Sequence, residues 1–162
     1  MYPASLALAV GILLHASAAS TQAPDFEGFA VKDVFTGTPV SVDLSSHAMA
    51  REYRTVLRTG AAKGPNFAGH YTIVEWGCGS NCHLFAIVDA VTGKVFVPLS
   101  SYPLDLGYRL ESRLLVVNPG DDFKAMFGGC PDHAVAWKPV SHYYEWRSEQ
   151  LTHFTDVDFC KK

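Results

Sequence analysis

Short runs rich in β-branched and aromatic residues recur from residue 71 to the C-terminus, each bounded by turn-forming residues. Residues 71–76, 84–88, 94–97 and 113–118 read as strands on this pattern, as do 142–146 and 150–154. Asp89 to Gly93 offers turn chemistry between the second and third runs, with Gly93 free to take positive φ. Pro119 and Gly120 stop the fourth run, and residues 147–149 make a short connection inside the final pair. Upstream, Met49, Tyr53, Val56 and Leu57 recur at helical spacing and predict an amphipathic helix near 47–59, with Ser46 as its N-cap and Gly60 as its stop. Arg51, Arg54 and Arg58 fall on another face of that helix, as the solvated side of a packed helix does. Val34, Phe35, Val40 and Val42 flank a turn-like tetrad at 36–39 and predict a short hairpin. Residues 121–139 read as a polar, glycine-containing loop carrying Cys130. Six or seven short strands joined mainly by tight turns, with one helix, give an α+β fold: a single domain, mostly antiparallel sheet.

The first 20 residues follow a different pattern. An apolar run at 5–14 precedes a small-residue stretch, and Ala16-Ser17-Ala18 fits the small-x-small pattern of a signal-peptidase site. The run is too short to span a bilayer as a helix, which needs about 20 residues. We therefore expect a signal peptide at 1–19 and one disulfide-braced globular domain at 20–162, periplasmic or secreted. No Lys or Arg precedes the run, so only the terminal amine supplies positive charge; the alternative is a buried N-terminal helix. No later stretch reaches membrane length.

The chain of 162 residues has room for one domain, and its 48% hydrophobic content excludes a disordered tail protein. A formal net charge of -3 provides no basic field for a phosphate backbone, so nucleic acid is not an expected partner. In an exported chain the four cysteines read as two disulfides. Of three possible pairings, proximity in sequence favours Cys78 with Cys82, leaving Cys130 with Cys160.

Residues 69–82 combine Gly-His-Tyr with Trp-Gly-Cys-Gly-Ser-Asn-Cys, followed by 85–89 and by Thr92-Gly93-Lys94-Val95. This segment resembles a family of small exported bacterial proteins of uncharacterised function. The resemblance extends in patches to Asn66-Phe67, 112–118 and 143–146. It implies export and a compact disulfide-braced domain, and brings no activity, substrate or catalytic residue with it. The physics of the segment stands beside it. Cysteines four apart in an extended strand would have Cα atoms about 13 Å apart, beyond the ~7 Å a disulfide tolerates. The chain must therefore reverse between them, and Gly77, Gly79, Ser80 and Asn81 permit it. The expected result is a hairpin whose tip, residues 77–82, is cinched by its own bridge and flanked by Trp76. Alternation puts His70, Thr72, Val74 and Trp76 on one face and Tyr71, Ile73 and Glu75 on the other. Pairing Trp76 with His83 sets His70 opposite Asp89; a slip of one residue sets it opposite Ala90. The candidate binding residues are His70, Glu75, Trp76, Gly79, Asn81 and His83.

Catalytic sets are incomplete. Cys78 and Cys82 have three residues between them, unlike the thioredoxin-type motif, and no helix follows to lower a thiol pKa. His70, Cys78, Cys82 and His83 are suitable zinc ligands, but exported paired cysteines oxidise, so no metal or cofactor is assigned. Glu75, Glu111, Glu145 and Asp89 are scattered acids of the kind that strands solvate. Asn118, Asp121 and Asp122 miss the EF-hand spacing. Trp76, Trp137, Trp146, Tyr143 and Tyr144 fit core packing as readily as a ligand groove. The six histidines beyond the leader, at 47, 70, 83, 133, 142 and 153, are dispersed. The sequence thus points to a non-enzymatic binding domain, of the inhibitor or immunity type, engaging a protein or cell-envelope component. The alternative is a small envelope enzyme, hydrolase or thiol oxidoreductase, using Cys78 with a histidine.

Overall fold

A computed structural model describes residues 23–80, 82–98, 105–130 and 139–160. The expected leader, Asn81 and the stretch containing His133 and Trp137 lie outside the described residues. Among the described residues seven antiparallel strands form two sheets, accompanied by two α-helices, an α+β domain that is mostly sheet. The first sheet is β1 (Tyr71–Gly79), β2 (Cys82–Asp89) and β3 (Val95–Phe96), in that order. The second is β4 (Leu106–Gly107), β5 (Leu114–Val117), β6 (Val140–Arg147) and β7 (Gln150–Asp158), also in order.

The two sheets pack face to face. Tyr71 and Ile73 of β1 with Phe85 and Ile87 of β2 meet Leu115 and Val117 of β5 and Trp146 of β6 in one core. Phe85, Ile87 and Leu115 are fully buried, and burial of each such side chain contributes about 1.5–3 kcal/mol. The other face of β1 and β2, with Val74, Ala86 and Val88, is covered by helix α1 (Arg54–Ala61) through Leu57 and Ala61. The outer face of the second sheet, at Leu114, Val116 and Tyr143, is covered by Phe26 and Phe29 from the N-terminal segment. The first sheet is therefore apolar on both faces, which is why 71–74 and 84–90 are buried without interruption.

The helix differs in detail from its sequence signals. It begins later than expected, at Arg54, after a 3-10 turn at Ala48–Ala50. Ser46 does not cap it: its hydroxyl donates to the Asp43 carbonyl at 2.6 Å and accepts from the Val95 amide at 2.9 Å, which ties it to β3. His47 takes the cap role for the 3-10 turn, its Nδ1 accepting from the Met49 amide at 3.2 Å. Gly60 is not a stop but lies in the last turn of α1, where a Cβ would sit 2.5 Å from Val74 Cγ1. It lets the helix approach the sheet closely. Arg51, Arg54 and Arg58 are exposed.

Two other expectations are corrected. The hairpin at 34–42 does not form, because its amides bond elsewhere: Phe35 donates to the Gly69 carbonyl at 2.8 Å and Val40 to that of Ala90 at 3.0 Å. The front of the 121–139 loop is a helix, α2 (Gly120–Phe127). Pro119 and Gly120 end β5 and also start this helix, with Asp121 and Asp122 in its first turn complementing the exposed amides. Gly128, at φ 74°, closes it in the left-handed conformation that glycine favours. Just beyond, Cys130 bridges to Cys160, with Cα atoms 5.6 Å apart, and ties the end of α2 to the end of β7.

Candidate functional site

The β1–β2 hairpin ends in the cinched tip. Cys78 and Cys82 are joined, with Cα atoms 5.1 Å apart. Gly77 pairs with His83 and Gly79 with Cys82, so Cys78 is an inserted bulge residue. Gly79, at φ 135°, takes a conformation that a side chain would strain. Residues 77–80 are all exposed. Among the described residues, a Cβ built on Gly77 or Gly79 would meet nothing within 4 Å, so these leave the backbone uncovered on the side where a side chain would stand.

The candidates around the tip separate into distinct environments. Trp76 lies on the helix side, its ring 4.7 Å from that of Tyr53, and its indole Nε1 is buried with no hydrogen-bond partner among the described residues. It serves as packing beneath the tip. Glu75 lies on the opposite side and accepts a hydrogen bond from the Tyr108 hydroxyl at 2.9 Å. Burial pushes the Tyr108 phenol well above its ordinary range, and the Glu75 charge adds to the effect. His83 is exposed opposite Gly77. Asn81 lies outside the described residues.

The register places Trp76 opposite Leu84, which is the slipped alternative, and the Ala90 amide donates to the His70 carbonyl at 2.9 Å. The imidazole nevertheless leans across, with Nε2 3.9 Å from Asp89 Oδ1 and its ring 4.1 Å from that of Tyr71. Asp89 is committed to the turn: Oδ1 accepts from the Val91 amide at 2.8 Å and Oδ2 from the Thr92 hydroxyl at 2.7 Å. His70 is therefore some distance in sequence and structure from the tip, at the opposite end of β1.

The cysteines and the Glu75, Asp89 and Glu145 carboxylates that thiol or acid chemistry would use have bracing partners. All four cysteines are in disulfides. Glu145 pairs with Arg113 at 3.3 Å and Arg147 at 2.9 Å. Asn118, at φ 59°, occupies a turn, and Asp121 and Asp122 open α2, so these three divide between a turn and a helix start. Trp146 is core, its ring 5.2 Å from that of Tyr71 and 5.3 Å from that of Phe96.

One constellation escaped the sequence. His142 and His153, on the two strands of the final hairpin, converge on Asp156 across β6 and β7. The Asp156 carboxyl is held below the ordinary aspartate range, chiefly by the hydrogen bond with His153 and further by that with His142. A linear reading of dispersed histidines contains no signal for this; the strand register supplies it.

A comparison of the chain with protein-family models, with curated proteins and with solved structures finds no significant match.

Proposed function

We propose that this chain is an exported, periplasmic or secreted, non-enzymatic binding domain that grips a protein or cell-envelope component with the tip at 77–82, braced by Trp76, and the adjoining strand surface. Its expected role is of the inhibitor or immunity type. The observation that carries this reading is the tip itself: a bulged, glycine-lined turn closed by a short disulfide ring and open to solvent. A closed ring of this size has little conformational freedom left to lose on binding, so a partner can use its backbone groups at small entropic cost. Trp76 and Tyr53 support the tip from below. Two formed disulfides suit an oxidising compartment, which supports export. Among the described residues no helix is long and apolar enough to cross a membrane. A Cys78 hydrolase lacks its nucleophile while Cys78 is bridged, because only a reduced thiol attacks; the bridge supports the binding reading against that rival.

Site-specific photo-crosslinking in producing cells tests the reading. A crosslinker at Ser80 should give a discrete envelope adduct, and one at the exposed Thr152 on the second sheet should not. In a Cys78→Ser, Cys82→Ser background the Ser80 adduct should fade while the fold persists. Equal adducts from both positions, or none from Ser80, would contradict the proposal.

A further inference from the structure

The second sheet carries a group of side chains that the tip does not use. Asp156 stands directly opposite His142 in the β6–β7 pairing. A regular strand would send His153, three residues before Asp156, to the opposite face. The register shifts instead: Tyr143 pairs with Thr155 but Tyr144 with His153, leaving Phe154 as the inserted residue of a bulge. That one insertion turns His153 onto the face of His142 and Asp156.

The result is a compact donor set. His142 Nδ1 lies 2.8 Å and His153 Nε2 2.7 Å from the same carboxylate oxygen, Asp156 Oδ1. The three ligand atoms lie within 4.8 Å of one another. All three side chains are half-exposed, at 38% for His142, 46% for His153 and 50% for Asp156, so an ion entering the group would keep water on its open side. The ring of Tyr144 stands 5.2 Å from that of His153 and fixes one wall.

We propose that His142, His153 and Asp156 form a binding site for a divalent transition-metal ion of the zinc class, with its remaining position open to solvent. Two imidazole nitrogens and one carboxylate oxygen suit zinc, cobalt or nickel; calcium and magnesium prefer all-oxygen sites. Tetrahedral zinc, with bonds of about 2.0–2.2 Å, holds its ligand atoms roughly 3.4 Å apart. The two N···O contacts need open by only about 0.6 Å, which side-chain rotation on a fixed hairpin supplies. The competing reading is a hydrogen-bonded His–Asp–His brace that binds no ion.

Titration of the oxidised full chain with zinc chloride against a chromophoric chelator distinguishes the two; intact disulfides keep cysteine thiols out of the measurement. One equivalent of zinc should bind. His142→Ala and His153→Ala should each weaken it by more than the roughly 10–100-fold that losing an outer-shell partner costs. Deletion of Phe154 should abolish binding although all three ligands remain. Imidazole nitrogen NMR on the unsubstituted protein avoids any dependence on variant folding: zinc should shift His142 Nδ1 and His153 Nε2 and leave His70 and His83 unmoved. No shift at those nitrogens, shifts confined to other histidines, or wild-type affinity in folded His142→Ala and His153→Ala variants would overturn the proposal.

Discussion

The two long hairpins of this domain are built to opposite plans. β1–β2 is sandwiched between α1 and the second sheet, so its shared strand faces are apolar on both sides. Its polar freedom is confined to the tip, where a disulfide closes the turn. β6–β7 closes without a bridge, through Ser148 and Glu149, both at positive φ, and leaves His142, His153 and Asp156 open to solvent. A strand buried on both faces spends its side chains on packing and can offer a partner only its end. β7 is the edge strand of its sheet, and the part of the hairpin that the packing leaves exposed can assemble chemistry beside the core. The bulges follow the same division: one places Cys78 for its bridge, the other turns His153 towards Asp156.

Truncating the two hairpins should expose that contrast most strongly. Phe85→Ala in β2 removes a fully buried ring and should cost about 3–5 kcal/mol in denaturant unfolding. Thr152→Ala in β7 is exposed and should stay within about 0.5 kcal/mol; comparable losses would erase the distinction. The two bridges should differ next. On loop entropy, removing the Cys130–Cys160 bridge, with its sequence separation of 30, should cost about 3.7 kcal/mol. Removing the tip bridge, with a separation of 4, should cost about 2 kcal/mol. Equal effects would mean that the tip bridge holds more than its own ring. The smallest effect is alkaline. The folded state raises the Tyr108 phenol above its ordinary 10.0, mainly by burial. Its contribution is therefore complete below pH 10 and lost as pH rises through and beyond that value, where only the unfolded chain ionises freely. Tyr108→Phe should flatten the alkaline limb of stability against pH, and an unchanged limb would detach Tyr108 from it.

The parts of the fold visible in the sequence are those that local pattern determines. The β-branched runs mark β1, β2, β3, β5, β6 and β7, and the glycines around Cys78 mark the reversal that lets it reach Cys82. Long-range partners set the rest. β4 is two residues long and exists only by pairing with Val116 and Val117, so it has no pattern of its own. α2 was hidden because Pro119 and Gly120 serve as both terminator and helix start. Gly60 looks like a C-cap in one dimension, but the nearness of Val74 is a three-dimensional fact. The same holds for the candidate sites. Alternation assigned Trp76 and Glu75 to their opposite faces, but neither the one-residue register at His70 nor the insertion at Phe154 leaves a local trace.

Intact-mass analysis with thiol alkylation, on protein recovered without reductant, tests most directly the central claim that Cys78 is locked in a bridge and is not a free nucleophile. The account predicts no label on the folded or unfolded chain before reduction and four labels after it. A label on Cys78 before reduction would return a free nucleophile to the hairpin tip and contradict the account.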